Sequence, residues 1–141
     1  MFSNSCKYAL RAVLFLAQSS TEKKKFSAKE IANSLGIPAH FLAKLLQQLA
    51  KHDLVSSMKG KFGGFYLSPE NLKRPLIKVV EQMDGVNFME GCVMGLDNCS
   101  DKNPCPLHEI TIVYKQGLRA MLTNNKISEL TKLIEKGNFL V

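Results

Sequence analysis

The sequence has no long hydrophobic run. In the first apolar stretch Arg11 leaves only residues 12–17 uninterrupted, which is short even for the core of a signal peptide and far too short to span a bilayer. We therefore expect no membrane association and a cytoplasmic location. Because the cytosol is reducing, we expect the four cysteines to be thiols or metal ligands rather than disulfides.

The chain also lacks the signatures of an enzyme. No candidate nucleophile has a suitable base, and the glycine-rich residues 60–64 do not follow a phosphate-binding pattern. Acidic residues are scarce in one half: residues 1–75 contain twelve Lys and Arg against four Asp and Glu, whereas residues 76–141 contain seven against eight. A basic half is typical of a protein that binds a polyanion such as nucleic acid, although a basic solvated surface would have the same composition.

Helical periodicity dominates what remains. A chain of 141 residues can form one compact domain with a helical extension. Residues 6–18 are almost all apolar and predict a helix buried on most sides. Ser27 and Glu30 match the capping box that starts a second helix, Gly36 supplies a turn, and Pro38 suits the start of a third. This order predicts a helix-turn-helix.

The third helix, residues 38–52, has one apolar face and one mixed face. The mixed face combines small residues, amides and cations, which are the groups that contact base edges and phosphates in a major groove. With two residues at the start of the second helix, the candidate DNA contacts are Ser27, Lys29, His40, Ala43, Lys44, Gln47 and Lys51. An ordinary solvated helix face would have a similar composition.

A basic β-hairpin is predicted next, with strands over residues 54–58 and 65–68. In its turn, Lys59 and Lys61 could lie along a phosphate backbone or enter a narrow minor groove, and Gly63 and Gly64 would permit close approach. The two glycines could also simply satisfy the turn. A helix-turn-helix followed by a basic wing predicts a winged-helix DNA-binding domain.

Residues 86–105 lose helical periodicity and contain three closely grouped cysteines. Cys92, Cys99 and Cys105 are followed one helical turn later by His108. Thiolates are soft ligands that favour iron-sulfur clusters, zinc or copper, and structural zinc sites usually have closer cysteine pairs. The alternatives are unrelated free thiols and a histidine that only caps the next helix. We interpret the group as a metal or cluster site.

A long helix is predicted from residue 106 to residue 123, with apolar residues at coiled-coil-like intervals. We expect it to pack on the same helix of a second subunit through Ile110, Tyr114, Leu118 and Met121. The predicted fold is mainly α with a small β-hairpin: a winged helix-turn-helix domain plus a long C-terminal dimerisation helix. The predicted divisions are a DNA-binding domain (1–85), a cluster-binding loop (86–105), and a dimerisation helix with a short terminal helix (106–141).

Taken together, these segments resemble a family of winged-helix transcription regulators that includes IscR, NsrR and CymR. The resemblance covers most of the chain, and its most specific parts are residues 54–60, residues 63–67 and the Cys-x6-Cys-x5-Cys-Pro-Leu-His array. By this resemblance the three cysteines correspond to the ligands of the cluster-binding members, and His108 to the histidine ligand of IscR-like proteins. It implies an iron-sulfur cluster; a histidine ligand favours the 2Fe-2S type, with 4Fe-4S as the alternative.

The resemblance also implies a function. It suggests a homodimer that binds a pseudo-palindromic operator in double-stranded DNA and responds to iron-sulfur or iron status, redox stress or nitric oxide. Some relatives take a carboxylate ligand from the first helix of the other subunit, but residues 3–8 contain none, and Cys6 is expected to pack within its helix. The alternatives are a regulator with structural zinc or no metal, and an electron-transfer protein, which would not need a helix-turn-helix and a wing.

Overall fold

The computed structural model describes residues 1–137, which form helices and one antiparallel hairpin. In chain order the elements are α1 (Asn4–Ser19), α2 (Ala28–Leu35), α3 (Ala39–Lys51), β1 (Ser56–Met58), β2 (Gly64–Tyr66), α4 (Pro69–Leu72), α5 (Ile77–Asp84), α6 (His108–Asn124) and α7 (Ile127–Gly137). This confirms the predicted mainly α fold class with a small hairpin. No helix of the described part has the length and apolarity needed to cross a membrane. The last four residues of the predicted 106–141 segment lie outside the described residues.

Helix α1 lies in the core, as its apolar sequence predicts. It contacts α2, α3, α5 and α7. Its fully buried side chains are small or aliphatic and recur at helical spacing: Cys6, Ala9, Ala12, Val13 and Leu16. The Ser3 hydroxyl caps the helix by accepting from the Cys6 amide at 3.0 Å, and Asp84 at the end of α5 accepts from the Ser3 amide at 2.9 Å. The cap therefore joins the start of α1 to the end of α5.

The helix-turn-helix forms as predicted. The Ser27 hydroxyl accepts from the Glu30 amide at 3.1 Å, and the Glu30 carboxylate accepts from the Ser27 amide at 2.7 Å, so two amides that lack a helical partner are satisfied. Gly36 adopts the left-handed conformation with φ of 65° between α2 and α3. Pro38 is the residue that precedes α3 rather than its first helical residue. The buried face of α3 consists of Leu42, Leu45, Leu46 and Leu49.

The hairpin has a third partner that the sequence did not reveal. Strand β1 pairs with β2 so that Met58 lies opposite Gly64. Phe26, just before α2, exchanges backbone hydrogen bonds with Phe65 at 3.0 and 2.7 Å. The hairpin is thus joined through backbone atoms to the start of the helix-turn-helix.

A second capping box fixes the base of the hairpin. Ser68 caps α4, and the Asn71 side chain accepts from the Ser68 amide at 2.9 Å. The buried Asn71 amide also donates to the Asp53 carbonyl at 2.8 Å, and its side-chain oxygen accepts from the Ser56 hydroxyl at 2.7 Å. The Ser68-Pro69 pair is a helix-start signal that could have predicted α4.

The two C-terminal helices pack differently from each other. Helix α6 contacts α5 and has one fully buried side chain, Leu122. Helix α7 packs on α1 and α4 through Ile127, Thr131 and Ile134. Although the sequence grouped both helices in one C-terminal segment, α7 completes the core of the helix-turn-helix domain, while α6 lies at its side.

Candidate metal centre and nucleic-acid interface

The loop between α5 and α6 brings the three grouped cysteines together. The Sγ atoms of Cys92, Cys99 and Cys105 all lie within 4.8 Å of one another, and those of Cys92 and Cys105 are 3.6 Å apart. His108, the first residue of α6, places Nδ1 3.2 Å from the Cys99 sulfur. All four residues line one cavity of about 190 Å³. The structure therefore places the four predicted ligands around a common centre.

Tight turns of the loop bring these side chains inward. The Gly95 amide donates to the Cys92 carbonyl at 2.9 Å, and the His108 amide donates to the Cys105 carbonyl at 3.0 Å. Gly95 has φ of 72°, a conformation that side chains with a Cβ rarely adopt. These turns lie at the two ends of the array, and the sulfur atoms of Cys92 and Cys105, thirteen residues apart in the chain, meet in the folded loop.

Backbone amides also shift the pKa values of the cysteine thiols. Hydrogen bonds from the amides of Leu96 and Met94 lower the pKa of Cys92 to about 7, so a large fraction is thiolate at neutral pH. The thiolate is the form that binds a metal. For Cys99 the Cys105 amide acts in the same direction, but loss of water contact and the neighbouring thiols outweigh it and raise the pKa. By contrast, burial, assisted by Asp84, raises the pKa of Cys6 to about 12 and keeps it a neutral thiol.

The imidazole of His108 is oriented by a residue that the sequence did not single out. Its Nε2 lies 3.0 Å from the carboxylate of Asp101, while Nδ1 points toward Cys99. A carboxylate on one ring nitrogen favours the tautomer whose other nitrogen is free to bind a metal. Asp101 belongs to an irregular loop, and no periodic pattern relates it to His108.

Two cations of α6 attach the loop to that helix. Lys115 donates to the Gly91 carbonyl at 2.6 Å and lines the cysteine cavity, and Arg119 donates to the Val86 carbonyl at 3.2 Å. The Arg119 guanidinium also lies over the Phe88 ring, 5.3 Å from its centroid. Lys115 could have been found from the sequence, because it lies seven residues after His108 and hence on the same side of the helix.

The donor set fits a metal centre. Three thiolates and an imidazole suit an iron-sulfur cluster or zinc. A tetrahedral zinc ion with Zn–S bonds near 2.3 Å would hold its sulfur ligands roughly 3.8 Å apart, close to the separations here. A cluster with several irons distributes its ligands over a wider span, so the loop would have to open slightly to accept one.

The predicted DNA contacts lie on an exposed side of the helix-turn-helix and the hairpin. His40, Lys44, Gln47 and Lys51 of α3 are exposed, whereas Ala43 is half-buried. At the start of α2, Ser27 and Lys29 are exposed, although the Ser27 hydroxyl is already used in the cap. Lys59 and Lys61 are exposed on the hairpin. A groove of about 240 Å³ runs between α3 and the hairpin, with Gln47 on one side and Lys59 on the other.

Backbone contacts within the protein require glycine at both Gly63 and Gly64. A Cβ at Gly63 would lie 2.1 Å from the Met58 carbonyl oxygen, and one at Gly64 would lie 2.8 Å from that of Phe26. Gly64 also has φ of 144°. Close approach of the chain to itself thus accounts for both glycines without contact to DNA.

Gly63→Ala should therefore destabilise the protein by about 1–3 kcal/mol, the usual cost of forcing atoms into a filled space. Urea unfolding would measure the loss. Lys61→Ala is the matched control, because Lys61 is exposed in the same turn and should leave the unfolding midpoint within error. Equal midpoints for the two variants would contradict this account of Gly63.

Much of the predicted dimerisation stripe on α6 faces solvent in the single chain. Ile110 is 69% exposed, and Tyr114 and Met121 are also exposed. Val113, on the same side of the helix, is 72% exposed. Leu118 differs, because it is half-buried against the core of its own chain.

Comparisons with known proteins place this geometry in context. A profile of the Rrf2 family, described as iron-dependent transcriptional regulators, matches residues 2–133. An HTH-type transcriptional regulator of Aquifex aeolicus (strain VF5) is 32% identical over 143 residues, which cover 100% of this chain and 98% of the relative. The HTH-type transcriptional regulator IscR of Klebsiella pneumoniae (strain 342) is 27% identical, covering 88% of this chain and 75% of the relative. The structure of CymR, the global cysteine regulator of B. subtilis, has a TM-score of 0.76 at 22% identity, covering 94% of this chain and 97% of that one.

Proposed function

The chain belongs to the Rrf2 family of iron-dependent transcriptional regulators, and from this premise we propose that it is a homodimeric regulator whose affinity for its DNA operator depends on an iron-sulfur cluster. Family members are transcriptional regulators, not enzymes. This agrees with the two expectations from the sequence, a transcription regulator and no enzymatic activity. One observation carries the cluster proposal: three thiols and an imidazole converge on one cavity in the loop that follows the helix-turn-helix domain.

The ligands of the cluster would be Cys92, Cys99, Cys105 and His108. A bound iron-sulfur cluster supplies a centre whose oxidation, loss or nitrosylation reports iron, redox or nitric-oxide status. Three features of the chain support binding: the lowered pKa of Cys92, the Asp101 carboxylate on His108, and the convergence of the sulfur atoms. Because the set includes a histidine, we favour the 2Fe-2S type, with 4Fe-4S as the alternative.

Helix α3 would contact the bases of the DNA, and the hairpin would bind its phosphates. The exposed face of α3 offers the Gln47 amide and the cations Lys44 and Lys51, which suit base edges and phosphates in a major groove. Lys59 and Lys61 would neutralise phosphates beside it. Two symmetric copies would bind a pseudo-palindromic operator, since a two-fold protein matches a two-fold site.

The second copy would pack on α6. Exposed apolar side chains of Ile110, Val113, Tyr114 and Met121 follow one side of this helix, and such surfaces typically mark protein–protein contacts. Gly117 lies within the stripe with open space in front of it, so a partner helix could approach closely there.

The loop would transmit the state of the centre to this interface. Lys115 and Arg119 bind α6 to loop carbonyls, and the loop starts from α5, whose last residue, Asp84, holds the start of α1. Release of the cysteines would loosen the loop and reorient α6 relative to α5. DNA would favour one orientation over the other, which is the differential affinity that a switch requires.

A regulator with structural zinc is the second candidate. The short sulfur–sulfur separations favour it, because they match a single tetrahedral ion without any opening of the loop. Such a centre would hold the loop in place, and the zinc ion itself would carry no redox signal.

Anaerobic purification followed by visible spectroscopy and metal analysis separates the two candidates. A coloured protein that contains iron and acid-labile sulfide supports the cluster. A colourless protein with stoichiometric zinc supports the second candidate and excludes the first.

Base reading and phosphate binding should separate by mutation. We expect Gln47→Ala to cost roughly 1–3 kcal/mol on the preferred sequence and little on a scrambled one. Lys59→Ala should weaken binding to both duplexes alike and reduce the salt slope by about 1. Fluorescence anisotropy on both duplexes across a salt series measures these effects. Equal losses for both variants on both duplexes would refute the division of roles.

A further inference from the structure

Phe62 stands at the tip of the hairpin. The Gly63 amide donates to the Gly60 carbonyl at 3.0 Å and closes a four-residue turn. Lys61 and Phe62 are its two central residues and hence the outermost ones of the hairpin. The Phe62 side chain is 84% exposed, and the Lys61 ammonium lies 5.7 Å from the centroid of its ring.

Two glycines fix the conformation of this turn. Gly60 has φ of 106°, which residues with a Cβ rarely adopt, and Gly63 lies too close to Met58 for any side chain. Such turns favour small or polar residues at their corners, and the only contact described for the ring is with the exposed Lys61 ammonium, which contributes little in water. Keeping the ring in water is unfavourable. The presence of Phe62 is therefore better explained by a contact outside the chain.

The surroundings of the ring favour nucleic acid as that contact. The hairpin lies beside the face of α3 that carries Gln47, since both line the same groove. Lys59 precedes the turn and Lys61 is its first central residue, so this end of the hairpin carries two exposed cations that would pair with the phosphates beside a narrow groove. Met58, at the end of β1, adds a second exposed apolar group.

We propose that Phe62 is an apolar wedge that enters the minor groove and partly unstacks one base step, an inference that rests on the proposed DNA-binding function. Apolar side chains inserted in this way kink the duplex toward the major groove. Pyrimidine–purine steps such as TA and CA unstack most easily, so the ring confers a preference for such a step without a hydrogen bond to any base. The wing then contributes to sequence selection through the stiffness of the DNA.

The test uses the full-length protein and a duplex that the wild type enriches from a random library. 2-Aminopurine placed at successive steps reports unstacking, and end-attached donor and acceptor dyes report bending. We expect wild-type protein to raise the fluorescence at one step and to shorten the end-to-end distance. Phe62→Ser should abolish both signals and weaken binding about 5- to 150-fold, the usual range for loss of an aromatic side chain stacked on a base. Phe62→Leu should retain most of the bend, because leucine can also act as a wedge.

Lys61→Gln is the matched control at the neighbouring corner of the turn. It should reduce the salt slope by about 1 and leave the 2-aminopurine signal intact. Unchanged fluorescence and bending with Phe62→Ser would overturn the wedge while leaving the proposed function in place. Failure of the wild type to enrich any duplex would overturn both.

Discussion

Replacing any one of Cys92, Cys99 and Cys105 by alanine will leave the anaerobically purified protein colourless. Each variant removes one of three thiolates that share a centre within 4.8 Å, and thiolates are the ligands that hold iron-sulfur clusters, so two thiolates and one imidazole should not retain it. His108→Ala should retain a less stable or spectrally shifted centre, because the three thiolates persist. Visible absorption and iron content measure both effects. DNA affinity of the cysteine variants should differ from that of the loaded wild type by about 5- to 150-fold, the usual size of a coupling between two binding sites.

Cys6→Ala is the control for the loss of a thiol as such. Cys6 is fully buried in α1, and its pKa of about 12 keeps it protonated. The variant should keep the colour and the iron of the wild type even if its unfolding midpoint falls. Colour that survives in the Cys92, Cys99 and Cys105 variants, or that disappears with Cys6→Ala, would refute the assigned ligand set.

Ile110→Glu should convert the protein to a monomer. The side chain is 69% exposed in the single chain, so a glutamate there does not disturb folding, but in a helix-to-helix interface it would bury a charge. Both copies of a symmetric interface carry the change. We expect a cost of about 3 kcal/mol or more, which corresponds to a rise of roughly 100-fold in the dimer Kd. Sedimentation velocity over a concentration series measures it, and operator binding should weaken in parallel.

The choice of position decides whether this experiment reports dimerisation. Leu118 belongs to the same predicted stripe but is half-buried against its own chain, so a charge there would confuse unfolding with dissociation. Gln116→Glu introduces the same charge into α6 at an exposed position about 120° away from Ile110 around the helix. It should leave the dimer intact. An intact Ile110→Glu dimer would place the interface on another surface.

The sequence predicted those parts of the fold that depend on neighbouring residues. The start of α2 follows from Ser27 and Glu30, whose mutual hydrogen bonds span three residues. The pairing of Phe26 with Phe65 joins segments far apart in the chain and is only one residue pair long, so it leaves no alternating pattern. Helix α7 shows the same limit: its periodicity reveals that a buried face exists but not that α1 covers it.

In the candidate site, too, the sequence predicted what depends on local pattern and not what depends on the folded loop. The concentration of Cys92, Cys99 and Cys105 in a polar loop is a local signal, and it indicated a shared centre. The contact between Asp101 and His108 depends on how the loop turns back on α6, which the spacing of the two residues does not determine. The family resemblance drawn from the cysteine array and the hairpin is confirmed by the match over residues 2–133.

The pair of backbone hydrogen bonds between Phe26 and Phe65 limits how the protein can change shape in response to a signal. It ties the hairpin to the residue just before α2, and Gly64 allows no slack at that point. We therefore expect the hairpin and the helix-turn-helix to move together as one unit. In the proposed dimer the two units would have to reach half-sites about 34 Å apart, one turn of DNA. A small rotation where α5 meets α6 would change that separation without altering either DNA-reading surface. The operator would then be selected by the spacing of its half-sites as much as by their sequence.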